Sequence, residues 1–386
     1  TKLRSSRLNK YRTWKPLSLM VLARLTPAEW SIEVIDENLG PVDYQRHPRP
    51  DLVGITAFTS QAPRAYEIAS TFRELNVPVV MGGIHATMRL EEALQYADAV
   101  VTGEAETVWQ QLLEDFQRGA LQRVYRGGLG PPSDIPSARH DMLAGRYYLV
   151  SIQTTRGCPL SCVFCSVTAF NGGKFRHRSV DDVVAELGEI REKKILVVDD
   201  NLIGTRRDHI ERSKELFRAM ISAGQTRPWI CQATVNFADD DELLALAAKA
   251  GCEGVYIGFE SPTPEGLAAV HKMFNIKDNR DLAASVRRIQ RHGIQVVGSF
   301  IMGLDTDRRG IGELIARAAD EYGIDMASVL ILTPLPGTKL YGDMERDGRI
   351  IANNYPEDWQ YYTLGYPVAQ YHNFTWAELV EEIYRP

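Results

Sequence analysis

The sequence is poor in thiols. Five cysteines in 386 residues, three of them crowded together and two alone, do not make a disulfide framework, so a bridge-stapled secreted scaffold is excluded and a reducing, cytoplasmic setting is expected. Long apolar runs are also missing. Stretches such as ILVVD (195–199) and GSFIMGL (298–304) fall far short of the roughly 18 residues that span a bilayer, so no transmembrane segment is expected. Nor is there an excess of positive charge. Lys and Arg number 44 against 50 Asp and Glu, a net charge of -6, which leaves no basic footprint for nucleic acid as a partner. The basic opening TKLRSSRLNKYRTWK has neither an apolar core nor a small-residue cleavage site behind it and does not read as a leader.

What is present is a repeating alternation. The segments SIEVIDE (31–37), DLVGITAF (51–58), VPVVMGG (77–83) and ADAVVTGE (97–104) read as buried strands. APRAYEIASTFREL and LEEALQYA read as helices between them, and ETVWQQLLEDFQRG as one after them. Such a βα series forms a parallel sheet whose ligands bind beyond the carboxyl ends of the strands. The Pro- and Gly-rich stretch 121–146 breaks the pattern and reads as a linker, with a boundary near 130–145. Six further strands are expected near 147–155, 194–200, 229–235, 253–260, 294–303 and 325–333. Between them, Ser179 and Asp240 can cap helices, and Gly251 and Gly293 can end them. Six repeats suggest an incomplete barrel rather than a closed eight-fold one. The aromatic, acidic tail 346–386 reads as an appended cap.

Chemistry concentrates in TTRGCPLSCVFC (154–165), where Cys158, Cys162 and Cys165 follow a predicted strand, with Gly157 and Pro159 favouring a loop. A structural zinc site normally takes four ligands, and so do most iron–sulfur clusters. Three cysteines leave one metal of a cluster open to a substrate or cofactor; a zinc knuckle or chance clustering is the bland alternative. VVDDN (197–201) brings Asp199, Asp200 and Asn201 to a strand end. Gln232 and Asn236 flank the third strand's end, where a loop role and a substrate contact are equally served. Arg176, His177 and Arg178 form a basic run that reads either as a solvated face or as a contact for a carboxylate or pyrophosphate. Cys231 and Cys252, in apolar segments, read as core.

The cysteine triplet, standing at the head of a six-fold βα series, resembles the radical S-adenosylmethionine superfamily over about 147–345. That resemblance implies that Cys158, Cys162 and Cys165 hold a 4Fe-4S cluster and that S-adenosylmethionine chelates the fourth iron. One-electron cleavage then gives a deoxyadenosyl radical that abstracts a substrate hydrogen. It further implies adenine packing near Phe164 and against the backbone at Ile301 and Gly303. Glu260 would meet the ribose hydroxyls, Asp199 and Asp200 the cofactor, and Pro334 would sit in the last-strand loop. Gln232, Asn236 and Arg178 are the candidate substrate contacts. A reducing donor of flavodoxin or ferredoxin type is the implied partner.

Read together with this second series, DLVGITAFTSQAPRAYEIA, VPVVMGGIHATMRLEEAL and ADAVVTGEAE resemble the cobalamin-binding domain that precedes many radical S-adenosylmethionine enzymes, among them hopanoid C-methylases and an anaerobic ring cyclase. The phrases VVDDNLIG, QATVNFADD and GFESPTPEGLAAVHKMFN are most similar to the hopanoid-methylase side. The resemblance places Thr56, Phe58, Ser60, Gly82, Gly83, His85, Gly103 and Glu104 near the corrin or its nucleotide tail, and the strand-end glycines would let backbone amides approach it. Two departures stand out. No Asp-x-His-x-x-Gly motif supplies a cobalt ligand, and no strand precedes PLSLMVLARL (16–25), which suggests a truncated start.

The fold expected is therefore α/β. It comprises a doubly wound, Rossmann-like cobalamin-binding domain (1–130), a linker (131–146), a partial (β/α)6 TIM barrel (147–345) and a C-terminal cap (346–386). The implied activity is cobalamin-dependent methylation of an unactivated carbon in a small-molecule or lipid substrate. The alternatives are a radical cyclase, oxidase or rearrangement enzyme without methyl transfer, and a non-catalytic corrinoid- or metal-binding module.

Overall fold

The computed structural model describes residues 13–131 and 135–384; most of the basic opening stretch lies outside them. The chain divides into two compact units, one built from residues up to 154 together with 176–198, the other from 155–175 and from 199 onward.

In the first unit, helix α1 (Leu17–Leu25) precedes strand β1 (Val53–Thr56). Next come α2 (Ala62–Glu74), β2 (Val79–Gly82), α3 (Gly83–Met88), α4 (Leu90–Tyr96), β3 (Ala99–Thr102), α5 (Trp109–Gln117) and β4 (Val124–Arg126). The strands form one parallel sheet in the order β1-β2-β3-β4. The reason lies in the residues. β2 and β3 bury three consecutive apolar residues each, as strands covered on both faces do. Helix α2 buries Ala62, Ala65, Tyr66, Ala69 and Phe72, a stripe at helical spacing. Val80, Ala99, Val101, Leu112, Leu113 and Tyr125 form the core between sheet and helices.

Past β5 (Val150–Ile152) the chain enters the other unit for the short strand β6 (Thr155–Arg156) and helix α6 (Ser166–Asn171). It returns through β7 (Arg176–His177) to α7 (Val180–Glu189) and β8 (Ile195–Val197), which pairs in parallel with β5. Ser179 caps α7 as expected, its hydroxyl accepting the Asp182 N–H at 3.1 Å.

The second unit continues with α8 (Arg207–Ser222), β9 (Trp229–Ala233), α9 (Asp241–Lys249), β10 (Cys252–Glu260), α10 (Pro264–Ala269), α11 (Leu282–Gln290), β11 (Gln295–Met302), α12 (Ile311–Tyr322) and β12 (Met326–Ile331). Strands β9 to β12 lie side by side in parallel, in chain order. With β5 and β8 they make six βα repeats, the connectivity of a partial (β/α)6 barrel. Asp240 caps α9 through the Leu243 N–H at 2.9 Å, and Gly251, at φ +103°, ends it. Strand β9 alternates strictly: Trp229, Cys231 and Ala233 are buried, Ile230 and Gln232 exposed, so one face of this strand is packed and the other open.

After α13 (Lys339–Arg346) the tail closes on its own unit through α14 (Trp376–Tyr384). Fully buried Trp359 stacks on Tyr355 at 3.7 Å. Glu382 accepts the N–H groups of Gly310 and Gly312 at 3.1 Å, where the positive end of the α12 dipole favours a carboxylate. Among the described residues no helix is long and apolar enough to cross a membrane.

Two expectations about elements change. SIEVIDE (31–37) is not a strand; it runs without a ladder partner into a short turn at Glu37–Leu39. A strand exists only when its backbone groups are paired, and Val34 is instead held by side-chain packing on the cluster of Met20, Val21 and Ala138. Conversely, the stretch read as a linker from 121 holds β4, a three-residue strand paired to β3, too short to show a period in the sequence.

Candidate functional site

The three cysteines lie on the loop between β6 and α6, and the loop's path is fixed by one glycine and one carboxylate. Gly157 has φ +84°, and a Cβ there would lie 2.2 Å from the Lys174 carbonyl oxygen. Its N–H donates to Asp200 Oδ2 at 2.9 Å, and Asn171 Nδ2 donates to the same oxygen at 2.9 Å. Asp200 therefore ties the two ends of the cysteine loop together. Cys165 caps α6 with extended backbone, and its N–H donates to the Cys162 carbonyl at 3.2 Å.

All three cysteines are half-buried free thiols. Burial pushes each thiol up, Cys165 to about 11, while the Lys272 ammonium pulls all three the other way. Thiolates in such a setting form when a metal takes the place of the proton. Among the described residues no three His, Cys, Asp or Glu side chains converge as one metal ion requires. A cluster in which each cysteine holds a different iron does not ask for that convergence.

Above this loop in chain order, β10 ends on a strained corner. Glu260 is buried and has φ +64°, rare for a residue with a side chain, and the ladder to β11 shifts register between Gly258 and Glu260. Its Oε1 accepts from Lys272 Nζ at 3.2 Å, and Lys272 is itself buried. Burial works against the ammonium, yet the Glu260 carboxylate, with negative charge on Cys162 and Cys158 once they are thiolates, holds its pKa above the usual lysine range. Gly258 makes room for the pair, because a Cβ there would lie 2.1 Å from Glu260 Oε1. Asn275 Nδ2 donates to the carbonyls of Gly258 at 2.9 Å and Phe259 at 3.1 Å, while its Oδ1, also buried, has no partner. A buried orphan acceptor beside a buried ion pair fits a polar ligand such as S-adenosylmethionine, which carries ammonium, carboxylate and hydroxyl groups.

The other expected residues of this unit are mostly buried. Asp199 is fully buried, and Phe164 half-buried. Ile301 and Pro334 are buried at the ends of β11 and β12. Gly303 turns at φ +99°, and its N–H donates to Asp307 Oδ2 at 2.9 Å. Burial raises the Asp307 carboxyl to about 6 against the pull of the Leu304 and Gly303 N–H groups. Asn236 is buried in a chain of hydrogen bonds: Asn201 Nδ2 donates to Thr234 Oγ1 at 3.2 Å, Thr234 bonds Asn236, and Asn236 Nδ2 donates to the Gly204 carbonyl at 3.1 Å. Gln232 is exposed on the open face of β9.

Arg178 belongs to the first unit and is 3% exposed. It is paired with Glu186, which also accepts from His140 Nε2 at 2.7 Å and the Ala138 N–H at 3.1 Å. Neither Arg178 nor Arg176 is a solvated charge; Arg176 is paired with Glu104.

The cobalamin candidates gather at the carboxyl ends of the first sheet. Thr56 and Gly82 close β1 and β2, and Gly103 follows β3. Phe58 is 64% exposed there, and Ser60 is half-buried. Two of the glycines serve the chain itself. At Gly83 (φ +85°) a Cβ would lie 2.3 Å from Thr56 Oγ1, and at Gly103 (φ +72°) 2.3 Å from the Gly127 carbonyl. His85 is 1% exposed; its Nε2 meets the Tyr66 hydroxyl at 3.0 Å, which donates to Glu92 at 2.9 Å. Glu104 is buried, accepting from Arg176 and from the Gly130 N–H at 3.2 Å. The edge with Thr56, Phe58, Ser60 and Gly82 carries no charged side chain and suits the amide-rich periphery of a corrin, while His85 Nε2 is already engaged by the Tyr66 hydroxyl.

Sequence reasoning missed Lys272 and Asn275. The one signal available was the spacing of polar residues in HKMFN (271–275) after GFES, unusual in a segment otherwise reading as a helix.

Residues 152–328 match the Radical SAM superfamily, and residues 8–113 match the B12 binding domain. The bacteriochlorophyllide d C-12(1)-methyltransferase of Chlorobaculum tepidum is 32% identical over 86% of this chain and 74% of that protein. The hopanoid C-2 methylase of Rhodopseudomonas palustris is 28% identical over 88% of this chain and 66% of its own length. Among solved structures, the radical S-adenosylmethionine methyltransferase TsrM of Kitasatospora setae, with cobalamin and a [4Fe-4S] cluster bound, superposes with a TM-score of 0.69 at 18% identity, covering 89% of this chain and 76% of that one.

Proposed function

Because the chain belongs to the cobalamin-binding radical S-adenosylmethionine enzymes, we propose that it transfers a methyl group to an unactivated carbon of a small-molecule or lipid substrate. The observation that carries the step from family to methyl transfer is the 32% identity, across 86% of the chain, with a chlorin methyltransferase. When bound, the cluster, S-adenosylmethionine and cobalamin supply one-electron reduction, hydrogen abstraction and a methyl donor.

The chain's own residues bind and orient. Cys158, Cys162 and Cys165 would hold three irons, and the fourth would stay open for the cofactor. Lys272 balances the negative charge of that corner, and with Glu260 and the unpaired Asn275 Oδ1 it would take the polar ends of S-adenosylmethionine. Their burial keeps water from competing for those contacts. Phe164, Ile301, Gly303 and Pro334 would flank the adenine and Asp199 would meet the cofactor, while Asp200 holds the loop that presents the cluster. Thr56, Phe58, Ser60 and Gly82 would border the corrin, with Gly83, His85, Gly103 and Glu104 shaping the edge from behind. On this reading the cofactor-based division of the chain is 1–130, 147–345 and 346–386, with a flavodoxin- or ferredoxin-type donor supplying the electron.

The test is anaerobic reconstitution with iron, sulfide and cobalamin, followed by incubation with S-adenosylmethionine and a strong reductant, offered bacteriochlorophyllide d and a hopanoid in turn. Methylated product appearing with matching amounts of deoxyadenosine and S-adenosylhomocysteine is the expected result. Deoxyadenosine with an unmethylated, altered product would move the assignment to a cyclase or oxidase. Release of neither nucleoside would leave a non-catalytic module.

A further inference from the structure

One row of side chains across β9 to β12 has a composition that says what lies on it. A Cβ at Gly258 would be 2.1 Å from Glu260 Oε1 and 3.4 Å from Lys272 Nζ, so the buried ion pair sits over the face that Gly258 presents. Side chains alternate along a strand; Tyr256, two residues back, is on the same face. The ladders register Tyr256 with Gln232 on one side and Val297 on the other, and Val297 with Met326. This row lies about 7 Å below Gly258, at roughly 3.3 Å per residue.

The row is open, whereas the level above it is closed. Gln232 is exposed, Met326 is 59% exposed, and Tyr256 and Val297 are half-buried. One step nearer the ion pair, Gly258 registers with Ser299, which is 4% exposed. No side chain of either level carries a charge. Neither the Gln232 amide nor the Tyr256 hydroxyl has a partner among the described residues.

A polyanion brought onto this row would lose its hydration with no cation to offset the loss. An apolar ring system would instead cover Met326, Val297 and the Tyr256 ring, which are otherwise left to water, and the two idle polar groups could orient one oxygen. We propose that this row is the substrate bed and that it takes an uncharged, apolar, polycyclic body bearing a single hydrogen-bonding oxygen. The proposal rests on the reading that the cysteine loop and the Glu260–Lys272 corner form the reactive end.

The probe is dehydroergosterol, a fluorescent, uncharged polycyclic alcohol, titrated into the reconstituted full-length chain. Saturable binding is expected, and CTP, a polyanion, should not displace it. Val297→Asp should weaken binding by about 30-fold or more, since it sets an unpaired carboxylate under the ring system. Tyr256→Phe should weaken it about 5-fold. Iron content and the unfolding midpoint report whether each variant is folded; should Val297→Asp fail there, Met326→Glu on the edge strand makes the same test. Absence of saturable binding to the wild type, displacement by CTP, or unchanged binding in a folded charged variant overturns the proposal. Deoxyadenosine release by the wild type is scored separately. If it is absent while Val297→Asp still abolishes sterol binding, the enzyme reading fails and the bed stands; the converse result removes the bed alone.

Discussion

Glycines line both candidate sites, and they do different work in each. In the first unit Gly83 and Gly103 stand at positive φ, and the space a side chain would need is taken by Thr56 Oγ1 and the Gly127 carbonyl. These are glycines of chain geometry. In the second unit the space at Gly258 is taken by the carboxylate of Glu260 and approached by the ammonium of Lys272, groups at the far ends of flexible side chains. That glycine shapes a charge, not a turn. The same residue type at the same kind of strand end therefore signals fold in one place and function in the other, and only the identity of the crowding atom separates them.

The largest effect expected is at the cysteine loop. Cys162→Ala should abolish the cluster's visible absorption, cut bound iron and bring deoxyadenosine release to background. Retention of full activity would remove the cluster assignment and, with it, the functional half of the comparison.

Next comes the buried pair. Lys272→Met leaves the Glu260 carboxylate buried without a partner, a situation that costs about 3–5 kcal/mol in comparable pairs. Denaturant unfolding should show a loss of that order. The double variant Glu260→Gln with Lys272→Met should recover much of the stability but none of the S-adenosylmethionine affinity. If the double variant still binds the cofactor, the corner is structural and resembles the first unit after all.

A smaller effect is set by pH at Asp307, whose carboxyl is raised to about 6 chiefly by burial. An acid whose folded pKa lies above its unfolded value adds stability at low pH and loses it as pH rises through the folded value. Raising the carboxyl to about 6 from its ordinary value corresponds to about 3 kcal/mol. Relative to Asp307→Asn, the wild type should therefore gain up to that amount between pH 7 and pH 4. Parallel unfolding curves for the two proteins across this range would show that Asp307 does not titrate as its burial implies.

The division between what was legible and what was not follows the same physics. The βα alternation was legible because buried parallel strands need apolar runs; the cysteine triplet stood out by its close spacing in one loop, and Glu260 entered only through the family resemblance. Lys272 and Asn275 were not, because their meeting with Glu260 depends on a turn in which His271 takes φ +57°, a conformation no period announces. SIEVIDE has the composition of a strand but no ladder beside it. The basic run at 176–178 gave no hint of its partners, since Glu104 and Glu186 lie 72 and 8 residues away. His85 was expected near the corrin but not as a cobalt ligand, and its burial behind Tyr66 is a tertiary fact.

The smallest expected effects test the comparison itself, by adding one methyl group on each side of it. At Gly258 the new Cβ would meet the carboxylate of Glu260 and, at contact distance, the Lys272 ammonium, both ends of flexible side chains, so Gly258→Ala should displace the carboxylate with little strain in the backbone. The unfolding free energy should change by less than about 1 kcal/mol, while S-adenosylmethionine affinity falls about 10-fold, the equivalent of about 1.4 kcal/mol. At Gly83 the strain is in the backbone: φ is +85° and the obstacle is the branch atom of a short side chain. Gly83→Ala should lower stability by about 1–3 kcal/mol and leave S-adenosylmethionine affinity as it was. Calorimetric titration of the cofactor, alongside denaturant curves for both variants, reads the two effects independently. If Gly258→Ala loses stability and keeps affinity, the glycine under Glu260 is another turn glycine, and the carboxylate it shelters has no special place in the site.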